Sequence, residues 1–151
     1  MKTFKTLAEL AACTGQEVAV SDWITITQHQ VNLFAEATGD HQWIHVDPEK
    51  ASAGPFGGPI AHGFLTLSLL PRFFESSFQI TGSRMGVNYG LNKVRFTAPV
   101  PVGSRLRARM KLLTAEAIDN DGMQMSWGVT VEREGSAKPV CIAESLVRRY
   151  P

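Results

Sequence analysis

The segment His62-Gly63-Phe64-Leu65-Thr66-Leu67-Ser68-Leu69-Leu70, continued by Pro71-Arg72-Phe73-Phe74, constrains this chain more than any other. Read as a helix it is apolar nearly all round, so it must be buried rather than laid on a surface. Pro71 lacks the N–H that a helix interior uses, and a kink is expected there. The C-terminal half of the chain supplies the means of burial. After Thr81–Gly82 the pattern turns to strands. Arg105 to Lys111 alternates basic and apolar residues strictly, giving one wet and one dry face. Asn120–Asp121–Gly122 marks a hairpin turn into Met123 to Glu134, Gly135–Ser136 marks another, and Val140 to Val147 reads as the next strand. Shorter strands are expected at Arg84 to Tyr89 and Val94 to Thr97. Sequential long strands pair antiparallel most simply, so the residues predict an α+β fold in which a sheet curls round one helix.

Before that helix lie two clearer starts. Thr27–Gln28–His29–Gln30 has the form of a capping box, Val31, Phe34 and Ala35 recur at helical spacing, and Gly39 is a suitable stop. Asp47–Pro48 begins a short second helix, with Asp47 as cap. Gly54-Pro55-Phe56-Gly57-Gly58-Pro59 must be irregular. No repeat, low-complexity tract or linker divides residues 1–151, so one domain is expected.

Composition removes several classes of partner. A 44% apolar and 19% charged chain of 151 residues is globular, and a net charge of +1 gives no reason to expect nucleic acid or an anionic membrane. No apolar run approaches the ~18 residues of a membrane span. Glu9 interrupts the N-terminal apolar stretch, which is read as mature protein. Cys13 and Cys141 are far apart without CxxC spacing, so free thiols in a reducing cytoplasm are expected rather than a disulfide or zinc site.

Two constellations carry chemistry. In Thr38-Gly39-Asp40-His41-Gln42-Trp43-Ile44-His45, a carboxylate and an imidazole lie five residues apart, just past a helix end. A loop there can aim both at one point, where Asp40 accepts a proton from water and His45 holds that water or relays a proton. The alternative is structural, with Asp40 capping loose N–H groups and His45 packed in the core. In Gly57-Gly58-Pro59-Ile60-Ala61-His62-Gly63-Phe64, a flexible loop enters the apolar helix. Unpaired N–H groups point into the space before it, and Gly63 permits close approach of a carbonyl oxygen gaining charge. The glycines can equally serve only to shape a turn, and His62 fits support of the helix start better than lining a pocket. Together the two sets match what an α,β-unsaturated thioester needs: an activated water for C3 and fixed donors for the enolate.

Weaker candidates complete the survey. His29 and His41 lack recognised metal-ligand spacing, and no metal or cofactor is expected. Arg105, Arg107, Arg109 and Lys111 either meet the phosphates of coenzyme A or an acidic carrier protein, or form the wet side of a strand, the commoner case. Ser68 and Ser126 have no evident base partner, which argues against a nucleophilic serine.

Ala37-Thr38-Gly39-Asp40-His41-Gln42-Trp43-Ile44-His45-Val46-Asp47-Pro48 followed by Ile60-Ala61-His62-Gly63 resembles the MaoC-like hydratase/dehydratase family. The branch it is most similar to holds R-specific enoyl-CoA hydratases and nodulation-protein-N-like sequences. The likeness runs from about Ile24 to the C-terminus, through Asn88-Tyr89-Gly90 and Arg95-Phe96-Thr97-Ala98-Pro99-Val100. The resemblance implies a hot dog fold, with a long central helix wrapped by a curved antiparallel sheet, and a homodimer joined sheet edge to sheet edge. It implies that Asp40 and His45 are the catalytic pair and that the Gly63 N–H faces the thioester oxygen. Gln42, Trp43, His62 and Asn88 are the expected substrate contacts. Where the family often has Asn-Pro, this chain has Gln42–Trp43, and the indole is expected to narrow or redirect the pocket. The implied reaction is hydration of a trans-2-enoyl thioester of coenzyme A or acyl carrier protein to the (3R)-3-hydroxyacyl product. A thioesterase and a non-catalytic acyl-thioester-binding protein are the competing readings.

Overall fold

A computed structural model describes all residues, Met1–Pro151. The chain forms β1 (Lys2–Phe4), α1 (Leu7–Ala11), β2 (Glu17–Val20), β3 (Ile24–Thr25), α2 (Gln28–Thr38), α3 (Trp43–Val46) and α4 (Pro48–Ser52). It continues with α5 (Gly63–Ser68), α6 (Leu70–Ser77), β4 (Phe78–Ile80), β5 (Met85–Arg95), β6 (Arg105–Ile118), β7 (Gly122–Arg133) and β8 (Cys141–Tyr150). None of its helices is long and apolar enough to cross a membrane.

Local chemistry fixes several boundaries. Thr27 Oγ1 accepts the Gln30 N–H at 3.1 Å to start α2, without the return bond from the Gln30 side chain. Gly39 ends the helix at φ +79°, a left-handed conformation that suits glycine. Asp47 Oδ1 accepts the Lys50 N–H at 3.0 Å, and Pro48 occupies the first turn of α4. At the β6–β7 hairpin, Asn120 and Asp121 both have positive φ, 61° and 54°.

The main sheet has the order β2-β6-β7-β8-β5, and β3 adds to β6. All its pairings are antiparallel, while β1 and β4 form a separate parallel pair that ties the N-terminus to the end of α6. The inner face presents Leu106, Ala108, Met110 and Leu112 from β6, with Met125, Trp127, Val129 and Val131 from β7. Leu65, Leu69, Leu70, Phe73 and Phe74 of the α5–α6 segment fill the concavity. Trp127 stacks on Phe78 at 5.5 Å and meets the Phe74 edge at 5.1 Å. This is the helix-in-sheet hot dog arrangement.

Three features differ from the sequence expectation. Pro71 marks a break in the central helix: α5 ends at Ser68 with Leu69 as its cap, and the proline sits in the first turn of α6, where its missing N–H costs nothing. One face of α5 is not covered, for Phe64 is 67% exposed. The strands expected at 84–89 and 94–97 are one strand, β5, which shifts register between Asn88 and Gly90 and between Leu91 and Lys93. Such bulges let one long edge strand follow a strongly curved sheet.

The basic row of β6 is the wet side of the sheet. Arg105 pairs with Glu134 at 2.9 Å, Arg107 with Glu132 at 2.7 Å and Arg109 with Glu17 at 2.8 Å, so these guanidiniums are already satisfied. Both cysteines are free, Cys141 buried and Cys13 half-buried, and burial pushes the Cys141 thiol up to about 11. Phe73 has no exposed surface at all. Phe73→Ala should therefore lower the unfolding free energy by about 3–5 kcal/mol in urea titration, the usual effect of emptying an aromatic site in a closed core.

Candidate active site

Asp40 lies just past the αL cap of α2, and its exposed carboxylate accepts the Gln42 N–H at 3.4 Å. Five residues on, α3 turns His45 inward until only 7% of it is exposed. The His45 residue is fixed from both ends. Its Nδ1–H donates to the Ile60 carbonyl at 2.6 Å, and Gln28 Nε2 donates to the His45 carbonyl at 2.8 Å. A carbonyl can only accept, so Nδ1 carries the proton and Nε2 of the neutral ring keeps a lone pair.

The second constellation meets the first directly. Ile60, the acceptor for His45, and His62 lead into α5, whose first residue is Gly63. The His62 ring, 2% exposed, stacks on His45 with centroids 3.9 Å apart and meets Phe34 on its other side at 4.9 Å. His62 Nε2–H donates to the Asp40 backbone carbonyl at 3.0 Å. His62 is thus a clamp: it holds the loop bearing Asp40 and forms the floor under the His45 ring. One donor atom from each of Asp40, His45 and His62 lies within 4.8 Å of the others. The two imidazole planes are only 25° apart, however. Nearly parallel rings cannot both aim in-plane lone pairs at one ion about 2 Å away, so the trio does not form a chelate.

His45 opens onto a cleft of about 360 Å³ whose walls include Gly63, Thr66, Phe96 and Val140. The Gly63 N–H, in the opening turn of α5, makes no backbone hydrogen bond. A methyl on Gly63 would come within 2.8 Å of the Phe96 ring, so only glycine fits. Sequence reasoning misses two members of the cleft. Thr66, one turn after Gly63, carries a buried hydroxyl without a partner. Phe96 is the wall opposite Gly63. The i, i+3 spacing of Gly63 and Thr66 is a usable signal for the first, whereas Phe96 reaches the site only through the sheet.

The remaining candidates lie elsewhere. Gln42 is exposed, and the Trp43 indole packs over Gly54 and under the Lys50 ammonium, 4.9 Å from the ring centroid, outside the His45 cleft. Asn88 on β5 lines hollows beside α6 and Leu67. His29 and His41 are exposed.

The residues from 9 to 133 match the model of the MaoC like domain. The chain belongs to that family. It is 61% identical to the 3-hydroxyacyl-thioester dehydratase Z of Mycobacterium tuberculosis over 148 residues, covering 98% of each chain. It is 46% identical to Nodulation protein N of Rhizobium meliloti over 139 residues, or 91% of this chain and 86% of that one. Among solved structures, the (R)-hydratase of A. caviae superposes with a TM-score of 0.68 at 25% identity, covering 91% of this MaoC-like chain and 96% of the other.

Burial lowers the His45 pKa below the ordinary 6.5, and the His62 ring adds to that, while the Ile60 hydrogen bond and Asp40 oppose it. Because the folded state then binds fewer protons than the unfolded one, His45 contributes stability above pH 6.5 that is lost as pH falls through its folded pKa. NMR titration should place the His45 ring below free histidine, and His62→Gln should move it upward; an unshifted ring in the native chain contradicts this electrostatic picture.

Proposed function

We propose that this MaoC-like chain hydrates trans-2-enoyl thioesters to (3R)-3-hydroxyacyl thioesters, and dehydrates them in reverse, with Asp40 and His45 sharing one water. The observation that carries the reading is the convergence of the Asp40 carboxylate and His45 ring within 4.8 Å beside a free Gly63 N–H. The 3-hydroxyacyl-thioester dehydratase Z and the (R)-hydratase of A. caviae support it by name, and the latter supports the R configuration.

The chemistry is built on that geometry. The thioester carbonyl lies against the Gly63 N–H, which draws electron density from C3. The water held between Asp40 and the free Nε2 of His45 attacks C3, forming the C–O bond as the C2–C3 π pair moves toward the carbonyl. Asp40 takes a proton from that water, and the enolate is stabilised at Gly63. That proton passes from Asp40 to the free Nε2 of His45 and from there to C2, so both residues return to their starting states. A neutral His45 suits this task because it can accept and then return a proton, and its lowered pKa keeps it neutral near physiological pH.

The second element of the proposal is a homodimer. β5 is an edge of the sheet, Val87, Tyr89 and Leu91 stand exposed along it, and Phe64 of α5 is exposed as well. A long apolar edge of this kind is covered by a second copy of itself. Light scattering should give twice the chain mass, and Leu91→Lys should drive it toward monomer; a monomer in the native chain rules the pairing out.

The decisive assay monitors loss of enoyl absorbance on crotonyl-CoA. Asp40→Asn and His45→Gln should each cut the hydration rate by about two orders of magnitude or more while remaining folded. Gly63→Val, which forces its side chain into Phe96, should impair turnover as well. Free thiol should not appear; if it does, the chain is a thioesterase. Near-native rates in folded Asp40→Asn would remove the mechanism.

A further inference from the structure

The inward row of β8 runs Cys141, Ala143, Ser145 and Val147, all buried, and the next inward position is Arg149. A guanidinium there breaks the apolar pattern of the concave face. It is made room for by Gly86, its cross-strand partner on β5, where a Cβ would lie 2.7 Å from Nη1 and 2.8 Å from Cζ. Arg105, Arg107 and Arg109 each hold a glutamate and Arg148 stacks on Tyr89. Arg149 does neither: no hydrogen-bond acceptor reaches it, and burial lowers its pKa, with only the longer-range field of Glu75 in opposition. A half-buried cation without a partner is costly, and a ligand anion removes that cost.

The guanidinium ends a cavity of about 230 Å³ between α6 and the sheet, walled by Leu10, Phe74, Phe78, Met125, Trp127 and Val147. Asn88 and Pro71 also line a hollow beside Leu67 and Ser68, while Arg149 and Glu75 also line one that reaches Met1 and Gln79. The order along the helices is therefore Gly63 and Thr66 at the His45 cleft, then Leu67, then Pro71 and Phe74, then Arg149. At 1.5 Å per residue along α5 and α6, Gly63 to Phe74 spans at most on the order of 16 Å, shortened by the break at Leu69, and a crotonyl chain stops short of Phe74.

We propose that this cavity is a subsite for the far end of a long acyl chain that terminates in a carboxylate, held by the Arg149 guanidinium. The assignment rests on the thioester reading of the His45 cleft. A planar guanidinium pairs a carboxylate in two parallel hydrogen bonds, whereas a methyl end would leave it facing hydrocarbon. The apolar walls accept the methylene chain, and the exposed Glu75 carboxylate weakens the site without neutralising it.

The test compares trans-2-hexadecenoyl-CoA with its ω-carboxy counterpart, using crotonyl-CoA as the short control. The native chain should favour the ω-carboxy substrate in kcat/KM by roughly tenfold or more, the scale of hydrogen bonds to a charged group. Arg149→Met should erase that preference and leave crotonyl-CoA hydration unchanged. Gly86→Ala, which displaces the guanidinium, should erase it too, and Glu75→Gln should enlarge it. Equal kcat/KM for the long pair in the native chain, or an equal loss on both in Arg149→Met, overturns the subsite. If the native chain hydrates no enoyl-CoA at all, the function reading fails separately, and calorimetry with hexadecanedioic acid then decides the subsite. Binding that is lost in Arg149→Met supports it, and binding equal in both, or absent in the native chain, refutes it.

Discussion

The hydrogen bond from His45 Nδ1–H to the Ile60 carbonyl, 2.6 Å long and buried, joins the two halves of the site. One half is the loop and short helix after Gly39, and the other is the strand-like segment that enters α5. The bond fixes which ring nitrogen carries the proton, so the other is left to face the cleft as an acceptor. Through the stacked His62 it also bears on Asp40, whose backbone carbonyl His62 holds. Without it the imidazole could rotate or change tautomer, and neither the neutral state of His45 nor its distance from Asp40 would be defined.

The sheet supplies the rigidity behind that bond. Leu65, Leu69 and Phe73 anchor the α5–α6 segment in the concave face, which holds Gly63 at the edge of the core rather than on a free loop. The break at Leu69 and Pro71 has a consequence for the same surface. Beyond it, α6 sets Phe74 against Trp127 of β7 and borders the Arg149 cavity. The sharpest conflict between strand pattern and side chain, an inward arginine, thus lies at the end of the molecule remote from His45. Functional sites are where such conflicts are expected, because a binding site tolerates a local cost that a core does not.

Much of this is legible in the residues. Thr27 with Gly39, Asp47 with Pro48, and Asn120–Asp121–Gly122 each name their own local structure because the chemistry involves backbone groups a few residues away. The Asp40/His45 spacing alone leaves a structural role open, and it is the family resemblance that marks the two as a pair. Features that depend on long-range contact are not legible. β1, α1, β2 and β3 are short and gain their form from β4 and β6, so no periodicity announces them. Trp43 reads as a pocket residue from its position between Asp40 and His45, yet α3 turns it toward Gly54 and Lys50. His62 fits the support of a helix start, and its role is larger because the ring bridges two segments twenty-two residues apart. Thr66 is signalled only by its i, i+3 spacing from Gly63, and Phe96 and Arg149 join their clefts by tertiary packing alone.

The central claim is spatial: one thioester lies with its carbonyl on Gly63 and its C3 under the water shared by Asp40 and His45. It is tested most directly by a crystal structure of a slow variant, Asp40→Asn, with crotonyl-CoA bound. The account expects the thioester oxygen about 3 Å from the Gly63 nitrogen, with C3 facing residue 40 and His45 Nε2. A thioester seated with its oxygen away from Gly63, or with C3 turned from His45, would contradict it.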